Sequence, residues 1–183
     1  AVADFIRYGQ MFQATMYGRT IESMRFRKGD PEDDCSGALI WMYNDCWGES
    51  GWTPVDYYLR RKASYYWIKN VCTPVRAIVR RRDDELVTRV VNDSLGPVSC
   101  TVACGWYRVD GSDTDVTLHD VVLPANSMVE IARVPIPGNS ARPHSSWVYA
   151  AHCEGHAPSV LSLLPFRQLD RVSHRIQIER AGQ

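Results

Sequence analysis

The sequence lacks three features that would each indicate a particular class of protein: net charge of one sign, a long apolar run and closely paired cysteines. Its 21 basic side chains are matched by 21 acidic ones, so the formal net charge is zero. No overall field therefore attracts a nucleic acid or an anionic membrane. No apolar run approaches the roughly 20 residues of a membrane helix, and no leader-like segment opens the chain, so we expect a soluble globular protein with neither partner.

The six cysteines show no CxxC spacing and are too sparse for a disulfide scaffold. Cys100 and Cys104 lie four apart on a predicted strand and share a face, which permits a bridge to Cys153 without requiring one. His152, Cys153 and His156 have no fourth ligand nearby. We therefore predict no metal site there, and no cofactor.

The first 73 residues contain helical and strand-like patterns in alternation. Apolar residues recur at near-helical spacing over residues 3–28, which predicts one amphipathic helix. Residues 37–43 are apolar at nearly every position, as is typical of a strand buried on both faces. ASYYWIKNV, residues 63–71, predicts a second helix that ends before Pro74. Helix, buried strand, loop and helix is the order of an α/β barrel or a doubly wound sheet, although one strand cannot make a sheet.

From Pro74 onward the pattern changes to short β-rich runs separated by turn residues. The runs are VRAIVRR, ELVTRVVN, VSCTVACGWYRV, TDVTLHDVVL, SMVEIARVPI, SWVYAAHC, SVLSLLPF and HRIQIE. Seven or eight strands over about 105 residues are the expectation for an immunoglobulin-like β-sandwich. The sequence thus predicts two units, residues 1–73 and residues 74–183.

One stretch carries a family resemblance: GALIWMYNDCWGESGWTPVDYYLRRKASYYWIKNVCTPV, residues 37–75. It resembles the last strand and last helix of the catalytic barrel in glycoside hydrolase family 2, and most closely the β-mannosidase branch. There the strand ends in Trp-x-x-Asn-Asp-x-Trp, and an Asp-Tyr-Tyr loop and a Lys-x-x-Tyr helix start follow. YGQMFQATMYGRTIESMRFRK, residues 8–28, is similar to the family's seventh barrel helix. This sequence departs from many β-mannosidases in having Gly48, not proline, after the second motif tryptophan.

The resemblance implies that residues 1–73 are helix seven, strand eight and helix eight of a (β/α)8 barrel, followed by the family's sandwich. The expected function is that of a retaining exo-β-glycosidase, most closely a β-mannosidase, acting on non-reducing ends of β-linked sugars. Exo-β-glucosaminidases, β-galactosidases and β-glucuronidases share the scaffold and stay open as alternatives. The family's two catalytic Glu residues end strands four and seven, upstream of Ala1. We therefore expect no catalytic residue in this chain, which alone should be inactive, and we interpret Glu49 as a loop residue.

Active sites of such barrels lie at the carboxyl ends of the strands, so residues 41–52 would enter the sugar pocket. An indole suits the apolar face of a pyranose, whose hydroxyls need donors and acceptors. The resemblance assigns Trp41 to the floor of the sugar subsite and Trp47 and Trp52 to its mouth. Asn44 and Asp45 are assigned to hydroxyl contacts or to a supporting position. The opposing interpretation is that these tryptophans only cap the barrel core.

The resemblance also concerns the peptide bond between Trp41 and Met42. In barrels of this kind the tryptophan that ends strand eight is often followed by a cis bond, which turns the indole toward the sugar. We predict a cis bond at this position if the chain keeps a native-like end of the barrel. A trans bond is expected if the missing part of the barrel is needed to hold it.

A second hypothesis is a stand-alone carbohydrate-binding or structural sandwich without catalysis. Trp106, Tyr107, Trp147 and Tyr149 could stack on sugars if they formed an exposed coplanar pair, whereas their burial would indicate a structural domain. Under the first hypothesis the partners are a carbohydrate substrate and the missing N-terminal part of the same enzyme. Without that part the barrel remnant would expose apolar faces, which favours a homodimer through them.

Overall fold

The computed structural model describes residues 1–49 and 51–173. The described residues form two α-helices and seven β-strands: α1 (Val2–Phe26), α2 (Ala63–Val71), β1 (Val75–Arg82), β2 (Glu85–Asn92), β3 (Val98–Arg108), β4 (Thr114–Leu123), β5 (Ser127–Pro135), β6 (Trp147–Cys153) and β7 (Ser159–Leu161). A short 3-10 helix spans Phe166–Gln168. The eighth predicted strand, HRIQIE, lies outside the described residues. None of the described helices is long and apolar enough to cross a membrane.

The seven strands form two antiparallel sheets, with strand orders β1-β2-β5 and β4-β3-β6-β7. Alternate side chains of both sheets meet in one buried core, which includes Val79, Leu86, Val102 and Tyr149. This arrangement confirms the predicted β-sandwich. The turns fall where the sequence predicted them because Asp, Gly, Pro and Asn interrupt each apolar run.

The three-stranded sheet is also covered on its outer face. Ile78 on β1 and Val87 and Val91 on β2 are buried there against Phe26, the last residue of α1. The Arg89 guanidinium lies 4.5 Å from the centre of the Phe26 ring and closes one side of this second cluster. Burial on both faces explains why β1 and β2 carry consecutive apolar residues, which a strand with one solvated face would not.

A buried ion pair joins α1 to the sandwich. Arg76 on β1 donates from Nε to Glu22 Oε1 at 2.9 Å, and from Nη2 to the same oxygen at 2.5 Å. Its Nη1 also donates to the carbonyls of Asn70 and Ala157, at 3.1 and 3.0 Å. The Ser159 hydroxyl donates to the second Glu22 oxygen at 3.2 Å. Both charges are thus excluded from water and supplied with several partners, as a buried pair requires.

Residues 37–43 form no strand, and the prediction of a buried strand is wrong for this chain. Leu39 is fully exposed, and pairing nearby is limited to isolated bridges that join Val55 to Asn44 and to Arg61. An extended segment becomes a strand where a neighbouring strand takes up its backbone hydrogen bonds. No described strand lies beside this segment, so the described residues do not by themselves contain the barrel sheet that was predicted.

The six cysteines are free thiols, so the bridge that the spacing of Cys100 and Cys104 permitted is not formed with Cys153. Burial raises the pKa of the Cys153 thiol to about 12, and the neighbouring Cys100 adds to this effect. Burial likewise raises the pKa of Cys104. These thiols therefore act as small apolar side chains of the sandwich core.

Candidate functional site

Trp41 stands at the end of the extended segment, and its side chain faces solvent. The residue is 83% exposed. Its peptide bond to Met42 is cis, which is one of the two outcomes that the resemblance left open. The carbonyl oxygen of Trp41 accepts a hydrogen bond from the indole Nε1 of Trp52 at 3.0 Å. The backbone of Trp41 is therefore held in place while its ring remains free to meet a ligand.

Trp52 connects this segment to α1. Its carbonyl oxygen accepts hydrogen bonds from Gln13 Nε2 at 2.5 Å and from the Tyr17 hydroxyl at 3.0 Å. Gln13 and Tyr17 are four residues apart and so lie on the same face of the helix. Burial raises the pKa of Tyr17, which stays a hydroxyl donor at neutral pH. Sequence spacing gave no sign of these contacts, because they join residues 35 and 39 positions apart.

Asp45 is buried and forms an ion pair with Lys62, the residue before α2. Lys62 Nζ lies 3.1 Å from Asp45 Oδ2, 3.0 Å from the Gly51 carbonyl and 2.9 Å from Thr53 Oγ1. Of the two roles predicted for Asp45, this burial favours the supporting one. Asn44 is exposed beside it, and its Nδ2 donates to the Asp45 carbonyl at 3.3 Å. Lys62 is a residue that the sequence-based site assignment missed.

Trp47 is exposed on the same loop and lies near a second ordered turn. An ideal Cβ on Gly48 would stand 3.9 Å from the hydroxyl oxygen of Tyr58. Asp56 fixes this turn by accepting the backbone N–H of Arg60 at 2.9 Å and its Nε at 2.7 Å. The Arg60 guanidinium lies 5.0 Å from the centre of the Tyr58 ring. Trp47, Tyr57 and Tyr58 are thus exposed on loop segments that follow Trp41 in the chain, and polar contacts hold the turn at Asp56 in place.

The four aromatic residues of the sandwich do not form an open platform. Trp106 and Tyr149 are buried and pack edge to face, with ring centres 5.2 Å apart and an angle of 85° between their planes. Trp147 is covered by the guanidinium of Arg142, 4.5 Å from its ring. Since a sugar needs an accessible ring face, this arrangement favours a structural role for these aromatics.

Comparison with known proteins shows that this chain is similar to parts of β-mannosidases. The Mannosidase Ig/CBM-like domain matches residues 84–160. Beta-mannosidase B of Thermothelomyces thermophilus is 30% identical over 129 residues, which are 60% of this chain and 15% of that protein. Beta-mannosidase B of Aspergillus niger is 42% identical over 77 residues, 42% of this chain and 9% of that protein. The chain therefore spans a small part of the length of these curated relatives.

Two solved structures share the fold of this chain. The β-D-mannosidase of Dictyoglomus thermophilum superposes with a TM-score of 0.83 at 24% identity, covering 93% of this chain and 21% of that one. The exo-chitosanase CsxA of Amycolatopsis orientalis gives a TM-score of 0.69 at 20% identity, covering 90% of this chain and 20% of that one. Together, the matched domain, the similar sequences and the shared fold confirm the predicted resemblance of this chain to β-mannosidases.

Proposed function

We propose that this chain is the C-terminal part of a retaining exo-β-glycosidase, and that the whole protein is a β-mannosidase. The proposal is supported by the similarity to beta-mannosidase B of two fungi and by the fold shared with the Dictyoglomus enzyme. Its substrate would be a glycan with a β-linked mannose at the non-reducing end. The likeness to an exo-chitosanase keeps a β-linked glucosamine as the first alternative sugar.

Within that enzyme, residues 1–73 would supply helix seven and helix eight of a (β/α)8 barrel, with a segment between them that forms strand eight only when the preceding strands pair with it, and residues 74–183 would be the sandwich after it. The exposed apolar side chains of the first region support this assignment, and on α1 they are Val2, Phe5, Ile6, Tyr8, Met11, Phe12 and Met16. Soluble proteins rarely leave such a continuous apolar face in water. The preceding part of the barrel would cover it, and in the isolated chain a second copy would take its place.

The chemistry requires two carboxyl groups about 5 to 5.5 Å apart. One attacks the anomeric carbon and the other protonates the leaving oxygen, after which water releases the sugar from the enzyme. Both would come from the part of the enzyme that precedes Ala1, so the isolated chain is inactive. This chain supplies the Trp41 platform and the Asn44 amide for a hydroxyl, with Trp47 and Trp52 at the mouth.

The observation that carries the proposal is the exposed indole of Trp41 on a backbone that Trp52 holds. The test uses the full-length gene product and the nitrophenyl β-glycosides of mannose, glucosamine, galactose and glucuronic acid. We expect the mannoside to be cleaved fastest, and Trp41→Ala to lower kcat/KM roughly a hundredfold, because the sugar loses its orientation. The melting temperature should stay nearly unchanged. Cleavage of none of the four glycosides would refute the proposal.

Trp67→Ala is the matched control for this substitution. Trp67 lies on α2 and packs against Gly18 of α1, where an added Cβ would stand 2.7 Å from its ring. Its removal should lower the melting temperature because the two helices lose their contact. If Trp41→Ala lowers stability as much as Trp67→Ala does, Trp41 is a packing residue and not the sugar platform.

A stand-alone carbohydrate-binding sandwich is the second candidate, and the buried pair of Trp106 and Tyr149 weighs against it. The 183-residue chain should migrate equally in native gels with and without dissolved mannan. Retardation that is lost in Trp147→Ala would reverse this preference, since Trp147, like Tyr107, is a partly exposed aromatic of that sheet.

A further inference from the structure

We propose that Lys62 is a positioning residue of the sugar site. Through its ion pair with Asp45 it fixes the loop that carries Trp52, and Trp52 in turn fixes the backbone of Trp41. This inference rests on the proposed role of Trp41 as the sugar platform. It assigns a function to a lysine that would not itself touch the substrate.

The first step is the set of contacts made by one ammonium group. A lysine ammonium has three N–H donors, and Lys62 Nζ has three oxygen partners, on Asp45, Gly51 and Thr53, at 3.1, 3.0 and 2.9 Å. The partners on Gly51 and Thr53 flank Trp52 in the chain. The backbone N–H of Lys62 also donates to the Pro54 carbonyl at 3.0 Å. Lys62 therefore holds the loop on both sides of Trp52.

The second step is the charge balance. The side chains of Lys62 and Asp45 are 15% and 0% exposed, so each charge depends on the other for compensation. An unpaired buried carboxylate would draw water into the loop. The loop also lies close to this carboxylate, since a Cβ on Gly51 would stand 2.8 Å from Asp45 Oδ1. Loss of Lys62 should therefore displace the loop and not merely remove one contact.

The third step leads from Trp52 to Trp41. The Trp52 carbonyl is held by Gln13 and Tyr17 of α1, and its indole N–H donates to the Trp41 carbonyl. The ring of Trp41 lies largely in solvent, so little packing fixes it. The backbone therefore sets the Cα–Cβ direction of Trp41 and with it the region that the ring can reach. A displacement of Trp52 passes directly to the indole that would carry the sugar.

The experiment labels the six tryptophans of the 183-residue chain with 5-fluorotryptophan and follows them by 19F NMR. Trp41→Phe and Trp52→Phe assign the two signals. Lys62→Met should shift both signals and leave the signal of the buried Trp106 unchanged. Exchange of the Trp52 indole hydrogen, followed by 1H NMR, should become about tenfold faster, as expected for the loss of one hydrogen bond. The matched control is Lys69→Met, which changes an exposed lysine on the same helix and should shift neither signal.

Two further variants keep the test valid if Lys62→Met destabilises the chain. Thr53→Val removes one of the three acceptors without changing charge and should shift the Trp52 signal by a smaller amount. Lys62→Arg keeps the charge, so the Trp41 signal should lie closer to its position in the unsubstituted chain than it does in Lys62→Met. If the Trp41 and Trp52 signals stay in place in both Lys62→Met and Thr53→Val, Lys62 does not position them and the inference is wrong.

Kinetics of the full-length enzyme separate this inference from the proposed function. Lys62→Met should lower kcat on the preferred glycoside more than it raises KM, with partial recovery in Lys62→Arg. Shifted 19F signals in an enzyme that cleaves no glycoside would refute the proposed function and leave the positioning contact standing. Shifted signals with unchanged kcat/KM in an active enzyme would show that catalysis does not depend on this positioning, and would overturn the inference.

Discussion

The sandwich and the helical region before it differ in how they bury apolar side chains. In the sandwich Leu86, Val90 and Val102 are inaccessible to solvent, whereas Leu39 and Phe12 of the first region are exposed, Phe12 by 74%. Both regions are rich in apolar residues, so composition does not explain the difference. Each sandwich strand pairs with another strand of this chain, while residues 37–43 have no such neighbour among the described residues. Whether an apolar segment is buried therefore depends on whether this chain also contains the element that packs against it.

Directional polar contacts join the two regions, in addition to the apolar packing of Phe26 on the sheet. Arg25 and Lys28 at the end of α1 both bind Asp93 of the sandwich, at 2.8 and 2.6 Å, and the Glu22 to Arg76 pair is buried beside them. Charged hydrogen bonds of this kind stabilise the contact and also fix the relative orientation of the groups that they join. These polar contacts lie on one side of α1 and set its orientation on the sandwich. The exposed apolar face on the other side of the helix takes no part in them.

The largest difference between the regions is expected in cysteine chemistry. Only the thiolate is alkylated rapidly, and burial raises the pKa of Cys153 to about 12, whereas Cys46 is exposed. At pH 8 iodoacetamide should modify Cys46 more than about a hundredfold faster than Cys153, because a buried thiol with a pKa of about 12 is almost entirely protonated at that pH. Peptide mass spectrometry after timed quenching measures both rates. Similar rates in the native chain would mean that the sandwich core opens readily.

The next largest effect is expected from the contact between the regions. Arg76→Ala leaves the Glu22 carboxylate buried without its partner, which should lower the free energy of unfolding by about 4 kcal/mol. Denaturation in guanidinium chloride measures this change. Arg133→Ala is the control, because Arg133 pairs with Glu85 on the surface at 2.8 Å and should matter much less. Equal losses would mean that the buried pair does not join the regions.

A smaller loss is expected within the sandwich core. Leu86→Ala removes a fully buried side chain and should lower the free energy of unfolding by about 3 kcal/mol. Phe12→Ala removes a larger side chain from the exposed face of α1, and the same measurement should change by less than about 0.5 kcal/mol. A loss near 3 kcal/mol for Phe12→Ala would show that this face is already covered in solution, as a homodimer would cover it.

The smallest effect is expected in the turn between β3 and β4. Hydrogen bonds from Ser112 lower the pKa of Asp110 to about 2. Because this value lies below that of an unfolded aspartate, near 3.9, the ionised group stabilises the fold above about pH 4. That contribution is lost as the pH falls through about 2. Melting temperatures between pH 2 and 5 should fall less steeply in Asp110→Asn, and identical curves would contradict the assignment.

The sandwich could be predicted almost strand by strand because the apolar runs and turn residues that define its strands are local features of the sequence. β2, for example, runs from Glu85 to Asn92, as the run ELVTRVVN predicted, since turn residues stand at both ends. Both helices were also found where their periodicity placed them. The strand predicted at residues 37–43 was wrong. An apolar run indicates that burial is favourable, but it does not indicate whether the elements that would pack against it belong to the same chain.

The candidate site could be predicted only in part. The family resemblance assigned Trp41 and its neighbours to a sugar site, which stays a prediction, and it gave the cis bond after Trp41 as one of two possible outcomes. The contacts of Lys62, Gln13 and Tyr17 could not be predicted, because each joins residues from 9 to 39 positions apart through a loop without periodicity. A single polar side chain has no sequence pattern from which its hydrogen-bond partner could be predicted.

Phe26, buried on the outer face of the β1-β2-β5 sheet, determines which part of this chain can be inherited as a unit. A chain that begins at Pro74 would keep every strand pairing, yet Ile78, Val87 and Val91 would face water, and Arg76 would lose Glu22. A recombination event that moved only the sandwich into another protein would have to replace that cover as well.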